Sequence, residues 1–389
     1  MNVPKIRFKE FKDEWKEYEH SKILSENLIP IEKPKEDYWR LGLRSHYKGT
    51  FYEYVNPEKN NMDKLFLVRP NNFIINITFA WEQAYAITTD EDNDKIVSHR
   101  FPMYSFNSGF SHRFFKYRVD NKKFKYDLGL ASPGGAGRNR VLNKSAFLRI
   151  KQYIPSYEEQ IKIANMFELI DKKIELQSKK IEDLKLFKSS QINTKLANLK
   201  CEEVELKKIG YFISGNAIGK EKVTNNGIPL VLYGDLYTKY NEEITEINQY
   251  TVENNKYIKS EIGDLLFPTS TTVDALSLIS PSSINIKGVV YGGDLIIFRT
   301  NNQLVDTAFL SYQINHYKRK DFSKKAQGST IIHIHSEDLL NSKVKLPNIE
   351  TQKSISKFGN KINKKIELET KKLKILYELK KGLMQNMFV

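Results

Sequence analysis

The sequence lacks most of the features of a secreted or membrane-embedded protein. Its 389 residues contain one cysteine, Cys201, so no internal disulfide can form, as is usual in a reducing cytoplasm. No apolar run reaches the roughly 18 residues that a membrane-spanning helix needs. The first residues, Met1 to Lys5, include no apolar stretch typical of a signal peptide. We therefore expect a cytoplasmic protein with no membrane partner.

Catalytic motifs are also missing. The sequence has no Pro-Pro pair, which the Asn/Asp-Pro-Pro-Tyr/Phe motif of adenine methyltransferases requires. The segment from Gly215 to Glu221 is one residue short of a Walker loop and ends without its Ser or Thr. His333 and His335 alternate as metal ligands can, but neither a cysteine cluster nor an HExxH helix accompanies them. We expect no catalytic residue, no metal and no cofactor bound by this chain.

Positive charge, in contrast, is abundant. The chain has 62 Lys and Arg against 47 Asp and Glu, a formal net charge of +15 and a pI near 9.4. Such an excess attracts polyanions, either nucleic acid or an anionic membrane surface, and the missing membrane features favour nucleic acid.

Apolar residues make up 40% of the chain. That share is enough to bury real cores, and the length predicts two or three domains.

One long segment of the sequence occurs twice, and an internal repeat of this kind determines how the whole fold is interpreted. Pro155 aligns with Pro347, and no gap is needed in the residues that follow. The string KKIEL recurs unchanged at 172–176 and 364–368. Chance does not explain this match, so we predict two structurally equivalent segments.

Each copy predicts a long amphipathic helix. Ser156 or Asn348 follows the proline as a helix cap, and apolar residues then recur at intervals of three and four, typical of a coiled-coil face. Gln177 and Glu369 occupy equivalent positions, where a polar residue fixes the register. Each helix extends over about 40 residues, or roughly 60 Å, and the economical arrangement is an antiparallel pair. The predicted packing residues are Ile170, Ile174, Ile181 and Leu184 in the first helix, with Ile362, Ile366, Leu373 and Leu376 in the second.

The segments before the two helices differ from each other and predict mixed α/β globules. Short β-like runs such as 65–68 and 295–298 alternate with turn signals such as Asn226-Gly227. The predicted fold class is α+β, with two globules separated by two long helices that form an antiparallel coiled coil, and a pseudo-two-fold internal repeat. The predicted boundaries are 1–153 for the first globule, 154–199 for the central spacer helix, 200–345 for the second globule and 346–389 for the C-terminal spacer helix.

This organisation resembles, over the whole chain, the specificity subunit of type I restriction-modification systems. The most specific elements are the two helix starts, PSYEEQ at 155–160 and PNIETQ at 347–352, each followed by KKIEL. Further similarity lies in GLRSHYKGTF at 42–51, SHRFP at 98–102, YGDL at 233–236 and GST at 328–330.

The resemblance implies a non-catalytic chain with two target recognition domains, each reading one half of a bipartite double-stranded DNA site through the major groove. It also implies two modification subunits, methyltransferases that use S-adenosylmethionine, docked on the helices. Two restriction subunits, which use ATP and Mg for translocation and cleavage, complete the implied assembly.

Candidate DNA contacts follow from side-chain chemistry. Arg pairs with guanine, Asn or Gln with adenine, and Ser or Thr with either, while Lys and Arg neutralise phosphates. In the first globule the candidates are Arg44, Ser45, His46, Lys48, His99, Arg100, Arg113, Lys116, Arg118, Arg138 and Arg140. In the second they are Lys220, Tyr233, Thr269, Ser270, Thr271, Lys318, Arg319, Gln327, Ser329 and Thr330. The alternative for any one basic run is a solvated helix face.

Two other functions compete with DNA reading. The chain could be a coiled-coil scaffold whose globules bind proteins, with the basic charge incidental. A standalone nuclease has little support, because no paired acidic residues accompany Glu14-Trp15-Lys16. Salt separates the first alternative from DNA binding, which weakens steeply as salt rises.

The long helices generate a first prediction. Two readers at the ends of a rigid rod fix the spacing between two short half-sites, about 34 Å for one turn of DNA. Lengthening the two helices should therefore change the number of unspecified bases and leave both specified blocks unchanged. Methylome sequencing of cells carrying the insertion mutant checks this, and an unchanged spacer would contradict it.

Overall fold

A computed structural model describes residues 2–59, 62, 64–134, 140–300 and 303–389. The chain forms two compact units, Met1–Glu175 with Lys374–Val389, and Leu176–Leu373, which are described separately. Each unit combines sheets, short helices and part of each of two long helices. The predicted α+β class is therefore confirmed, as are the two long helices.

The first unit contains two sheets and a strand pair. One sheet has the order β3-β6-β9-β4-β5, the other β2-β10-β7-β8, and β1 pairs with β11. The strands are β1 (Lys16–Glu19), β2 (Leu24–Glu26), β3 (Ile29–Ile31), β4 (Tyr38–Leu43), β5 (Thr50–Val55), β6 (Leu65–Leu67), β7 (Phe73–Ile75), β8 (Tyr85–Ile87), β9 (Ile96–Ser98), β10 (Met103–Phe106) and β11 (Lys151–Ile154). The helices that begin in this unit are α1 (His20–Ile23), α2 (His112–Arg118), α3 (Lys122–Leu130), α4 (Lys144–Leu148) and α5 (Tyr157–Ala197).

The second unit is built around the sheet β13-β21-β17-β19-β15. Its central strands are continuous apolar runs and are buried, as expected for strands covered on both faces. The strands are β12 (Glu203–Glu205), β13 (Gly210–Ser214), β14 (Ile228–Val231), β15 (Glu243–Ile244), β16 (Tyr250–Thr251), β17 (Asp264–Pro268), β18 (Ser270–Thr271), β19 (Ser282–Ile284), β20 (Val290–Tyr291), β21 (Leu295–Thr300), β22 (Ile332–His333) and β23 (Lys343–Lys345). The helices are α6 (Asp235–Thr238), α7 (Ala275–Leu278), α8 (Thr307–Tyr312), α9 (Arg319–Ser323), α10 (Ser336–Leu340) and α11 (Ile349–Asn386).

Both long helices begin at the predicted caps. The Ser156 hydroxyl accepts a hydrogen bond from the Glu159 amide at 3.3 Å, and the Asn348 side chain accepts one from the Thr351 amide at 2.8 Å. Each bond satisfies an amide that has no partner within the first turn of a helix. The helices then run for 41 and 38 residues.

Within each unit α5 and α11 pair antiparallel, as predicted. In the second unit the Gln177 amide donates to the Glu369 carboxylate at 2.7 Å, and Lys188 donates to Asn363 at 2.8 Å. Residue numbers on α11 therefore fall as those on α5 rise. In the first unit Asp171 pairs with Lys380 at 2.5 Å. Of the predicted packing residues, Ile170, Ile174, Ile181 and Ile362 are buried, and Leu184, Ile366, Leu373 and Leu376 are partly buried.

A glutamine near the start of each long helix makes the same three hydrogen bonds. Gln160 accepts from the Ser111 amide at 2.9 Å and donates to the carbonyls of Gly109 and Pro155. Its counterpart Gln352 accepts from the Asp306 amide at 2.9 Å and donates to the carbonyls of Leu304 and Pro347. The internal repeat thus extends from the helices to the turns that precede α2 and α8.

Buried His20 generates a prediction about stability. Its ring is fully buried and packs on Phe147 and Phe115 with centroid distances of 4.8 and 5.6 Å. Burial lowers the pKa of His20 to about 3, and the positive charges of Arg118 and Lys123 add to the effect.

Because the folded pKa lies below the unfolded value of 6.5, the stability that neutral His20 provides is complete above pH 6.5 and is lost as pH falls toward 3. Relative to a His20→Phe variant, the wild type should lose about 1.4 kcal/mol of unfolding free energy per pH unit in that window. Urea unfolding at several pH values measures the difference. The same substitution at exposed His99 serves as the control. If the unfolding free energies of the wild type and His20→Phe change in parallel with pH, the lowered pKa of His20 would be refuted.

Candidate nucleic-acid interface

The loop 44–49 of the first unit is held rigid by main-chain contacts. The Arg44 amide donates to the Gly49 carbonyl at 2.9 Å and the His46 amide to the Glu82 carbonyl at 2.6 Å. His46 and Tyr47 have φ values of 62° and 54°, a conformation that costs energy unless surrounding contacts impose it. The loop therefore presents the exposed side chains of Arg44, His46 and Lys48 in a fixed geometry.

Further contacts join this loop to neighbouring polar segments. The Ser45 hydroxyl donates to the Glu82 carboxylate at 2.9 Å, and the Arg140 guanidinium lies over the Trp81 ring, 5.5 Å from its centroid. The Ile77 amide donates to the Arg100 carbonyl at 3.0 Å. The segment 77–83 thus brings loop 44–49 together with Arg100 and Arg140, and both His99 and Arg100 are exposed. We call these residues the first-unit surface.

The remaining candidates of the first globule occupy other positions. Lys116 is exposed, and its carbonyl accepts a hydrogen bond from the Tyr47 hydroxyl at 2.9 Å. Arg113 donates to Glu168 on α5 at 2.7 Å. Arg118 is only 3% exposed, and it lines a cleft beside α11 instead of the surface around loop 44–49. Arg113 and Arg118 are therefore left out of the first-unit surface, and Arg138 lies outside the described residues.

In the second unit the candidates gather around a cleft of about 830 Å³. One wall is the two-stranded ribbon of β18 and β22, in which Ser270 lies opposite His333 and Thr271 opposite Ile332. Tyr233 and Tyr237 from the segment around α6 also line the cleft. The Tyr237 hydroxyl donates to the Ser270 carbonyl at 2.9 Å, and burial raises the pKa of Tyr237. We call this the second-unit cleft.

A hairpin adjoins the second-unit cleft, which is lined by its residues Ile331 and His333. The amides and carbonyls of Gln327 and His333 exchange hydrogen bonds at 2.8 and 2.7 Å. Gly328, directly after Gln327, has a φ of 113°, which L side chains rarely adopt. The hairpin leaves Ser329 and Thr330 exposed to solvent.

The other candidates of the second globule differ in their availability. Thr269 continues the ribbon through its carbonyl, which accepts a hydrogen bond from the Ile334 amide at 3.0 Å, while its own amide donates to the Asp294 carbonyl. Arg319 lines the cleft, and Lys220 lines an adjoining cavity of about 630 Å³ that shares Tyr233. Lys318 is committed to Glu203, with its ammonium 2.5 Å from the carboxylate, so it is left out of the second-unit cleft.

Several residues of these surfaces were not predicted from the sequence. Trp81 and Glu82 lie beside loop 44–49, and Tyr237 and Asp294 line the second-unit cleft. Trp81, Glu82 and Asp294 are distant in sequence from the motifs that they meet in the fold, so local spacing carries no signal for them, whereas Tyr237 directly follows the motif YGDL at 233–236. His333, for which the sequence indicated no role beyond a possible metal ligand, lines the second-unit cleft. Among the described residues no group of three or more His, Cys, Asp or Glu could hold a metal ion.

Together the fold and the two surfaces define a class of protein: two divergent α/β modules, each with a polar surface built on loops, joined to a repeated pair of long helices. The chain belongs to the family of the type I restriction modification DNA specificity domain. The family model matches residues 32–186 and again residues 198–377, so each copy of the repeat corresponds to one domain. Within the described residues no helix has both the length and the apolar character to span a membrane.

Similar proteins carry related names. A specificity subunit assigned to the type I restriction enzyme MjaX of Methanocaldococcus jannaschii is 24% identical over 147 residues, 37% of this chain and 34% of that protein. The type I restriction enzyme MjaVIII specificity subunit of the same organism is 26% identical over 102 residues, 26% of this chain and 24% of that protein. The matches thus span about a third or less of the length of these relatives.

Solved structures share the fold over the whole chain. The S subunit of a type I restriction-modification system from M. genitalium aligns with a TM-score of 0.60 at 15% identity and covers 100% of this chain and 99% of its own. A chain from a type I R-M system studied for complex assembly and conformational transition gives a TM-score of 0.59 at 16% identity, with 96% and 97% covered. At these identities the likeness establishes the architecture alone.

Proposed function

We propose that this chain is the sequence-reading subunit of a type I restriction-modification complex and that each module reads one part of a bipartite double-stranded DNA site. The observation that carries the proposal is the double match to a DNA specificity domain, one match for each module. The net charge of +15 supports it, because phosphate neutralisation supplies much of the affinity of DNA-binding proteins.

The two surfaces have side chains suited to different steps of DNA recognition. In the first-unit surface, Arg44, Lys48 and Arg100 are cations on fixed loops, which suits guanine edges and phosphates. In the second unit, Ser270 and Thr271 in the cleft and the exposed Ser329 and Thr330 on the adjoining hairpin offer hydroxyl groups that both donate and accept hydrogen bonds. Rigid loops favour specificity because little conformational entropy is lost on binding.

The proposal assigns catalysis to partner proteins. Two modification subunits would bind S-adenosylmethionine, and two restriction subunits would use ATP and Mg, while this chain holds no cofactor and provides docking sites. Apolar side chains exposed on the long helices support docking, because such side chains favour protein contacts. They include Leu169, Leu176 and Leu186 on α5, and Leu368, Ile375 and Leu379 on α11.

Domain limits and location follow the same proposal. The target recognition domains would comprise 1–153 and 200–345, and the spacer helices 154–199 and 346–389. A complex that acts on bacterial chromosomal DNA would work in the cytoplasm. The alternative is a coiled-coil scaffold whose modules bind proteins. The same exposed apolar side chains support it, so only a direct measurement of DNA binding separates the two functions.

Because the two surfaces belong to different units, we predict module-specific defects. Co-expression with the adjacent methyltransferase subunit, followed by single-molecule sequencing for methyladenine, should reveal two short specified blocks around unspecified bases. The double variant His99→Ala/Arg100→Ala should relax or weaken one block, and Ser270→Ala/Thr271→Val the other, at about 1–3 kcal/mol per lost base contact.

Lys125→Gln is the matched control for this experiment, because Lys125 is exposed on α3 and belongs to neither surface. Its methylation motif should match that of the wild type. Changes confined to the same block in both double variants, or an unsplit motif, would contradict the assignment of one block to each module.

Salt dependence provides an independent prediction. If Lys48 contacts a phosphate, Lys48→Gln should weaken binding to target and non-target duplexes alike and reduce the slope of log affinity against log salt by about 1. Filter binding between low and moderate salt measures this slope, with Lys125→Gln as the control for net charge. Affinity that does not change with salt would favour the protein-scaffold alternative.

A further inference from the structure

A second cleft lies in the first unit, between the start of α3 and the last turns of α11, and has a volume of about 790 Å³. We call it the α3–α11 cleft. Its lining includes the apolar side chains of Tyr377, Met384 and Phe388, which we call its floor, and the cations Arg118, Lys122 and Lys381. Phe388 also packs on Phe167 of α5, with a centroid distance of 5.8 Å, but neither that contact nor the first-unit surface accounts for the three cations.

Arg118 is a buried cation that forms no ion pair with a described residue, although the more distant carboxylate of Asp127 acts on its charge. Its Nε donates to the Tyr153 carbonyl at 3.3 Å, and its side chain lines the cleft. Burial lowers the pKa of Arg118 to about 10, which reflects the cost of holding an unpaired charge away from water. An incoming carboxylate would offset that cost.

The internal repeat supplies a comparison for this position. Gln313 of the second unit occupies the corresponding place, donates to the Lys345 carbonyl at 2.9 Å and accepts from the Lys345 amide at 2.6 Å. Ile192 and Leu196, which correspond to Met384 and Phe388 in the repeat, are fully buried in a core. The corresponding position is therefore neutral, hydrogen-bonded on both sides and buried in a core in the second unit, whereas in the first unit it carries a charge and borders a cleft.

The charges around the α3–α11 cleft are unbalanced. Lys123 pairs with Asp127 at 2.9 Å and Lys380 with Asp171 at 2.5 Å. Arg118, Lys122 and Lys381 have no ion pair with any described residue, and Asp120 is the one acidic side chain among the residues of the wall. The cleft is thus complementary to negative charge.

We propose that the α3–α11 cleft binds an acidic segment of a partner protein, with an apolar side chain of that segment on the floor and a flanking carboxylate paired with Arg118. The apolar floor favours a protein over nucleic acid, because a phosphodiester backbone offers no apolar side chain to fill it. The inference deepens the docking part of the proposed function and rests on it, but it is independent of which bases the modules read.

A fluorescein-labelled synthetic peptide with one phenylalanine between runs of Glu and Asp tests the proposal by fluorescence anisotropy with the full chain. We expect Arg118→Gln, which installs the residue of the second unit, to weaken binding at least about tenfold. Lys125→Gln, the matched loss of one charge outside the cleft, should change binding less than about twofold. Replacing the acidic residues by Gln and Asn, or the phenylalanine by alanine, should also weaken binding at least about tenfold.

Equal binding by Arg118→Gln and wild type, no binding by wild type, or full displacement by a non-target DNA duplex would each overturn the proposal. Met384→Glu, which places a carboxylate on the floor, is the second variant if Arg118→Gln does not fold, and it should bind the peptide at least about tenfold more weakly. Filter binding to target DNA on the same samples separates the two proposals. If the wild type binds target DNA but not the peptide, only the proposal for the α3–α11 cleft is rejected. If the wild type does not bind target DNA, the proposed function is rejected.

Discussion

The hydrogen bond between Gln177 and Glu369 sets the register of the helix pair in the second unit. The two residues are 192 positions apart, so they occupy the same place in the two copies of the repeat. Glu369 is 5% exposed, and hydrogen bonds from Gln177 and Lys180 lower its pKa to about 2. A shift of one helical turn would leave that carboxylate buried without its donors, which is costly. The polar pair therefore excludes alternative registers that apolar contacts alone would tolerate.

With the register fixed, each module is anchored by the same chemistry. Gln160 and Gln352 bind the turns before α2 and α8. The Tyr117 hydroxyl donates to Asp171 at 2.9 Å, and the hydroxyl of its counterpart Tyr312 accepts from Asn363 at 2.8 Å. Because these anchors use the helix starts and two short helices, the loops on the rest of each module are free to differ without loss of the shared fold.

The long helices could be predicted from sequence because their information is local and repeated. Caps, apolar spacing and the polar pair all lie within one segment, and the structure agrees with each of them. The recognition surfaces could be predicted only in part. Interleaved basic and aromatic residues in α2 did not distinguish exposed Lys116 from buried Arg118, since helical position relative to the core decides burial. Trp81 and Asp294 belong to surfaces that form only when distant loops meet, and a single sequence does not encode that proximity in its spacing.

The two copies of the repeat are therefore most informative at positions where their residues differ but the surrounding main-chain contacts are the same. Arg118 and Gln313 both donate to the main chain of the strand before the long helix, yet only the glutamine also accepts a hydrogen bond there. The guanidinium has no acceptor atom, so it cannot reproduce that second contact. Packing alone would favour the neutral residue, because an unpaired buried charge destabilises the folded state. The arginine is therefore expected to lower the stability of its module, and the proposed interaction with negative charge would offset that cost.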